Sequence, residues 1–117
     1  MANKPPIIGP TGTHIYSDGR HTTVRFRDTD VVQIAYSDVR LDSGGSRDSV
    51  MRSRLNQASR QFGLGYHVVV REGAWVVQTS RDVYPFVDGM HLLRSPGRDH
   101  EYVRYETEPN QGVDPCV

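Results

Sequence analysis

The sequence predicts an α+β fold, an antiparallel sheet of successive hairpins (about six strands) with one helix packed on one face. Three observations lead there. Short β-prone segments surround Asp18-Gly19, Glu72-Gly73 and Asp88-Gly89, dipeptides that suit tight turns because the backbone there must adopt positive φ. Met51, Leu55, Ala58 and Phe62 recur at helical spacing and form one apolar stripe. Between these regions, Ser43-Gly44-Gly45-Ser46 gives the chain freedom to leave the sheet and start the helix.

Residues 1–10 hold three prolines and a glycine, and read as a flexible lead-in. A first hairpin follows, with Thr13 to Tyr16 and Arg20 to Arg27 as arms. A two-residue turn at Asp18-Gly19 would pair Tyr16 with His21 and His14 with Thr23. Alternation then puts Ile15, Val24 and Phe26 on one face, and His14, Tyr16, His21, Thr23, Arg25 and Arg27 on the other. Asp28-Thr29-Asp30 interrupts with locally bonding side chains, Val31 to Tyr36 resumes as a strand, and Val39 to Leu41 forms the next one after Ser37-Asp38. The helix is expected over about 47 to 62, with Ser46 or Ser49 as cap, Asp48 in or near the first turn, and Gly63 and Gly65 ending it.

Tyr66 to Arg71 and Ala74 to Ser80 form a hairpin around Glu72-Gly73. Its register puts Tyr66, Val68, Val70, Trp75 and Val77 on one face, with Trp75 in the core. Val83 to Phe86 and Met90 to Leu93 flank Asp88-Gly89, and Pro85 confines the first of these arms to an edge. Tyr102 to Tyr105 offers a short further strand. The domain is therefore expected over 11–94, followed by an acidic, largely disordered tail over 95–117.

A chain of 117 residues fits one domain. Its hydrophobic content of 36% and mean hydropathy of −0.58 imply a thin core in the middle of the chain. A single cysteine, Cys116, excludes an intramolecular disulfide and a cysteine-based zinc cage. No signal-like or membrane-spanning run is present, so the expectation is a soluble, cytoplasmic protein with no membrane partner. Formal net charge is zero, against a general nucleic-acid coat protein. The distribution is uneven: residues 40–71 carry six arginines against two acids, and residues 99–117 carry five acids against Arg104 alone. Lys4 is the single lysine among 14 basic residues, and guanidinium forks suit phosphate and carboxylate recognition, although GC-rich coding bias gives the same preference.

Leu41-Asp42-Ser43-Gly44-Gly45, Arg54-Leu55-Asn56-Gln57, Tyr66-His-Val, Gly73-Ala-Trp75-Val, Pro85-Phe86 and Asp88-Gly89-Met90 form an ordered series. Over residues 29–93 the chain resembles a family of small, mostly uncharacterised bacteriophage and mobile-element proteins. It departs from that pattern at Ser46, where the family has Trp, and at Asp48 to Val50, where threonines are usual. The resemblance implies a phage or mobile-element setting, in which small domains often bind nucleic acid or host machinery.

On the helix, Arg52, Asn56 and Arg60 stand at i, i+4 and i+8 beside Ser49, Ser53 and Gln57, an acid-free row able to follow phosphates or reach base edges. A solvated outer face is the plainer reading. The hairpin face with His14, Tyr16, Arg25 and Arg27 could act as a single-strand platform. With His14 and His21 it could also serve as a small metal-independent nuclease. The five histidines lack zinc-site spacing, and no motif implies a cofactor. The expectation is a non-enzymatic binding module acting on nucleic acid or on a host nucleic-acid-handling complex. Arg47, Arg52, Asn56 and Arg60 are its main contacts, and Arg25, Arg27 and Tyr16 its secondary ones. The alternative is a counter-defence inhibitor, such as an anti-CRISPR protein, that binds a host protein directly.

Overall fold

The computed structural model describes residues 12–107. It has nine strands and one helix: β1 Thr13–Ser17, β2 Thr22–Phe26, β3 Thr29–Ile34, β4 Asp38–Leu41, α1 Ser49–Phe62, β5 His67–Arg71, β6 Ala74–Gln78, β7 Val83–Pro85, β8 Met90–Ser95 and β9 Arg98–Glu106. The strands form two antiparallel sheets. The larger runs β1-β2-β3-β4-β8-β9 and the smaller β5-β6-β7, so α1 and the small sheet are inserted between neighbours β4 and β8. The fold is α+β with one helix packed against the large sheet, and the small sheet is the part that sequence reading had merged into it.

Side-chain alternation explains the core. Val24, Val32, Leu41 and Met90 stand opposite one another across four strands, and Ile34, Val39, Leu92 and Tyr105 form the next row. Met51, Leu55 and Ala58 of α1, Tyr66 just before β5, and Val68 and Val77 of the small sheet bury against this face in one continuous cluster. Tyr84 of β7 stacks obliquely on Tyr105 of β9 at 4.9 Å and ties the two sheets together at a second point.

The first hairpin differs from expectation in register and keeps its faces. Residues 18–21 form the turn, with the Asp18 carboxylate accepting from the amides of Arg20 (2.9 Å) and His21 (2.7 Å). Tyr16 therefore pairs with Thr23 and His14 with Arg25. Lengthening the turn by two residues preserves parity, so Ile15 still stands with Val24, and His14 and Tyr16 with Thr23 and Arg25. The next turn is Arg27-Asp28, both at positive φ (55° and 63°), and β3 starts at Thr29. Glu72-Gly73 turns as expected with φ of 54° and 81°, and Val70 meets Trp75.

Asp88-Gly89 does not close a hairpin, because β7 belongs to the small sheet and β8 to the large one. The expected domain limit at residue 94 is also corrected. Strand β9 pairs along β8 and buries Tyr102 completely, its hydroxyl donating to Leu64 O at 2.7 Å. The residues of the expected tail beyond 107, and residues 1–11, lie outside the described residues. Trp75 is half-buried at the edge of the core rather than within it.

The helix cap is neither expected serine but the aspartate between them. Asp48 is the N-cap, in extended geometry, and its carboxylate accepts from Met51 N at 2.8 Å. Gly63 in the left-handed region closes the other end. Two polar helix residues take the place of a neighbouring strand for the chain entering β5. Asn56 donates to Val68 O (2.9 Å) and accepts from Val68 N (2.7 Å), while Ser59 does the same for Tyr66 O (2.7 Å) and Tyr66 N (3.1 Å). Because residues 66 and 68 turn their backbone groups the same way, one helix face satisfies both.

Tyr66 is buried and its hydroxyl donates to Leu55 O at 2.7 Å. Burial, reinforced by the neighbouring Tyr102, raises its pKa well above the ordinary value of 10.0. The unfolded chain releases this proton near pH 10 whereas the folded chain retains it, so stability is full below that pH and is lost as pH rises further. Tyr66→Phe should flatten the alkaline limb of a stability-against-pH curve measured by urea unfolding. An unchanged alkaline slope would contradict this assignment.

Candidate binding groove

The loop between β4 and α1 is organised around one carboxylate. Asp88 Oδ1 accepts from Ser43 N (2.7 Å) and Ser43 Oγ (2.7 Å), and Asp88 Oδ2 accepts from Gly45 N (3.1 Å). Asp42 Oδ1 takes Gly44 N at 2.6 Å. The run of free amides is thus a small anion nest, and the protein's own Asp88 fills it. A phosphate cradle at Ser43-Gly44-Gly45 is thereby excluded in this conformation. Gly44 has a physical reason to be glycine: its φ is +64°, and a Cβ there would overlap the Thr29 hydroxyl.

This hub also fixes Arg47, whose Nη1 donates to Ser43 Oγ at 2.8 Å and lies 3.4 Å from Asp88 Oδ1. The guanidinium lies over both Phe86 (4.8 Å) and Trp75 (5.3 Å), and these rings meet edge to face at 5.3 Å. Beside them opens a groove of about 530 Å³, with Arg47, Arg52, Val70, Trp75, Pro85 and Phe86 on its walls. None of its lining residues is acidic. The Arg52 guanidinium makes no hydrogen bond or ion pair among the described residues.

The sequence-derived contact set is divided by the fold. Arg47 and Arg52 come together in the groove. Asn56 does not join them, because both ends of its amide are bonded to Val68. Arg60 is exposed in the last turn of α1, where its charge complements the negative helix end, and is not part of the groove. Arg27 leaves the sheet face for the helix start, where it bonds Asp48 at 2.8 Å and lies over Phe26. That Arg27 bond, followed by the Met51 amide, holds the Asp48 carboxyl below its ordinary value.

Arg25 and Tyr16 lie on the outer face of the large sheet. There a row of side chains crosses all six strands: Tyr16, Thr23, Gln33, Arg40, His91 and Glu106. His14 stacks on Tyr16, with ring centres 6.4 Å apart. This face neutralises itself locally, through Arg25 with Asp30 (2.8 Å), Arg40 with Asp42 (3.1 Å) and Arg104 with Glu106 (3.1 Å). His91 Nδ1 lies 2.5 Å from Asp38 Oδ2, a pair formed only when β8 docks on β4.

Sequence reasoning missed Trp75 and Phe86 as groove walls and Asp88 as the organiser. The usable signals were the acid preceding Gly89 and an aromatic residue two positions past the Glu72-Gly73 turn. Among the described residues, no group of three histidine, cysteine, aspartate or glutamate side chains is placed to hold a metal ion. No helix among them is long and apolar enough to cross a membrane. Compared with known proteins, the chain matches no family model, no curated protein and no solved structure. Fold and groove therefore define its class: a two-sheet α+β domain that presents a basic and aromatic groove beside its helix start.

Proposed function

We propose that this domain is a binding module of phage or mobile-element origin whose groove engages nucleic acid, presented free or within a host complex that handles it. The observation carrying this reading is the pairing of an unengaged Arg52 with an Arg47 held against Trp75 and Phe86, in a groove whose lining residues include no acid. Guanidinium groups bind the backbone phosphates, and the half-exposed indole offers a surface on which a base stacks. The sheet face is the weaker candidate because several of its arginines face carboxylates of their own.

Fluorescence anisotropy with labelled single-stranded RNA and DNA over a salt series tests the proposal. Affinity should fall as salt rises, and Arg52→Glu combined with Trp75→Ala should weaken it by at least about tenfold at low salt. No binding of either strand at low salt would overturn the nucleic-acid reading. Direct inhibition of a host protein is then favoured, because Val70 at 47% exposure, Ala74 and Pro85 give the groove an apolar rim suited to an interface. Arg60→Glu separates groove from helix row: it should change affinity far less than Arg52→Glu.

A further inference from the structure

A second concave surface lies at the far end of the large sheet, where the β1–β2 turn, the β3–β4 turn and the end of β8 converge. The cavity measures about 660 Å³, within the range of small-ligand sites. Its polar wall consists of Arg20, His21 and Arg94 with the hydroxyls of Ser17, Thr22 and Ser37, and none of its ten lining residues is acidic. This contrasts with the adjoining sheet face, where arginine and carboxylate alternate.

The acid in the β1–β2 turn is accounted for. Asp18 holds the amides of Arg20 and His21 at 2.9 and 2.7 Å and stands 3.8 Å from His21 Nδ1, so it shapes the turn that presents these two side chains. The Arg20 guanidinium itself has no partner among the described residues. Opposite it, Tyr36 is 87% exposed, on a turn closed by Ala35 N to Asp38 O at 2.9 Å. Arg94 N donates to Ser37 O at 2.9 Å and locks that turn to β8. A fixed backbone frame thus carries an exposed aromatic ring on one side and unmatched positive charge on the other. A smaller depression continues past Tyr36, Ser37 and Arg94 to Ser95–Gly97, which leaves room for chain beyond one nucleotide.

We propose that this cavity binds a nucleoside phosphate, either free or as the phosphorylated end of a strand, with Arg20 and His21 on the phosphate and Tyr36 against the base. The ring supplies a stacking surface that tolerates any base, and the guanidinium supplies the charge-assisted bonds that require the phosphate. The site lies apart from the Arg52 groove and does not depend on it.

The test uses the full chain. Isothermal titration with AMP and UMP, against adenosine and uridine, examines the free ligand. Anisotropy with a labelled short RNA bearing either a phosphate or a hydroxyl at its unlabelled end examines the strand terminus. Removal of the phosphate should weaken binding by about tenfold or more in at least one arm, and Arg20→Glu and Tyr36→Ala should each do the same. Both substitutions are at exposed positions, and unchanged thermal melts would show that the fold is intact. Arg52→Glu with Trp75→Ala should leave this phosphate preference in place, which separates its failure from failure of the groove. Saturation by a mononucleotide identifies a free ligand, whereas preference confined to the phosphorylated RNA identifies a strand end. Absence of binding in both arms, indifference to the phosphate, or indifference to Arg20→Glu and Tyr36→Ala would each overturn the proposal.

Discussion

Asp88→Ala should lower the unfolding free energy by about 3 kcal/mol, measured by chemical denaturation with an unchanged denaturant slope. The carboxylate accepts from two amides and a hydroxyl, and Ser43, which provides two of those donors, is fully buried. Its loss leaves a backbone N–H without a partner away from water, the costly side of hydrogen-bond energetics. It also releases one of the contacts that hold Arg47 over Trp75 and Phe86. Asp88→Asn should fall between wild type and alanine, because the amide oxygen keeps part of the acceptor capacity. A change below about 0.5 kcal/mol for Asp88→Ala would show that water replaces the carboxylate without loss, contrary to this account.

Asn56→Ala should cost about 2 kcal/mol, and the Val68 amide should exchange its hydrogen faster in the native state. The side chain makes two bonds to the backbone of Val68, which is 1% exposed and has no strand on that side. Arg52→Ala, one turn earlier, should change stability by less than about 0.5 kcal/mol. The contrast distinguishes the two residues that the helical spacing had grouped. Asn56 supports the scaffold and Arg52 faces the ligand. If Asn56→Ala abolished binding while leaving the melt unchanged, the grouping would be restored and the strand-substitute role rejected.

These two residues show why the candidate site was only partly legible. Local signals are strong where the energy is local. The Glu72-Gly73 turn, the Met51-Leu55-Ala58 stripe and the Gly63 cap all read correctly, because turn geometry and helical period depend on neighbours in sequence. The first hairpin was read with the wrong partners and the right faces, since a turn longer by two residues leaves alternation in phase. Which strand β8 would join could not be read in this way. Asp88-Gly89 looks like a hairpin turn, yet its carboxylate locks onto the Ser43–Gly45 loop and Gly89 N bonds Leu41 O at 2.8 Å, which brings Met90 beside β4.

The sequence by itself determined the helix, several of the turns and which side chains face the core, because each follows from a short-range period imposed on a chain with few apolar residues. The tertiary structure alone decided which arginines remain available. Arg27 meets Asp48 across 21 positions and Arg47 meets Asp88 across 41, while the guanidinium groups of Arg20 and Arg52 meet no acid among the described residues. The charge available to a ligand is what remains after such long-range pairing, and pairing is set by sheet order rather than by spacing along the chain.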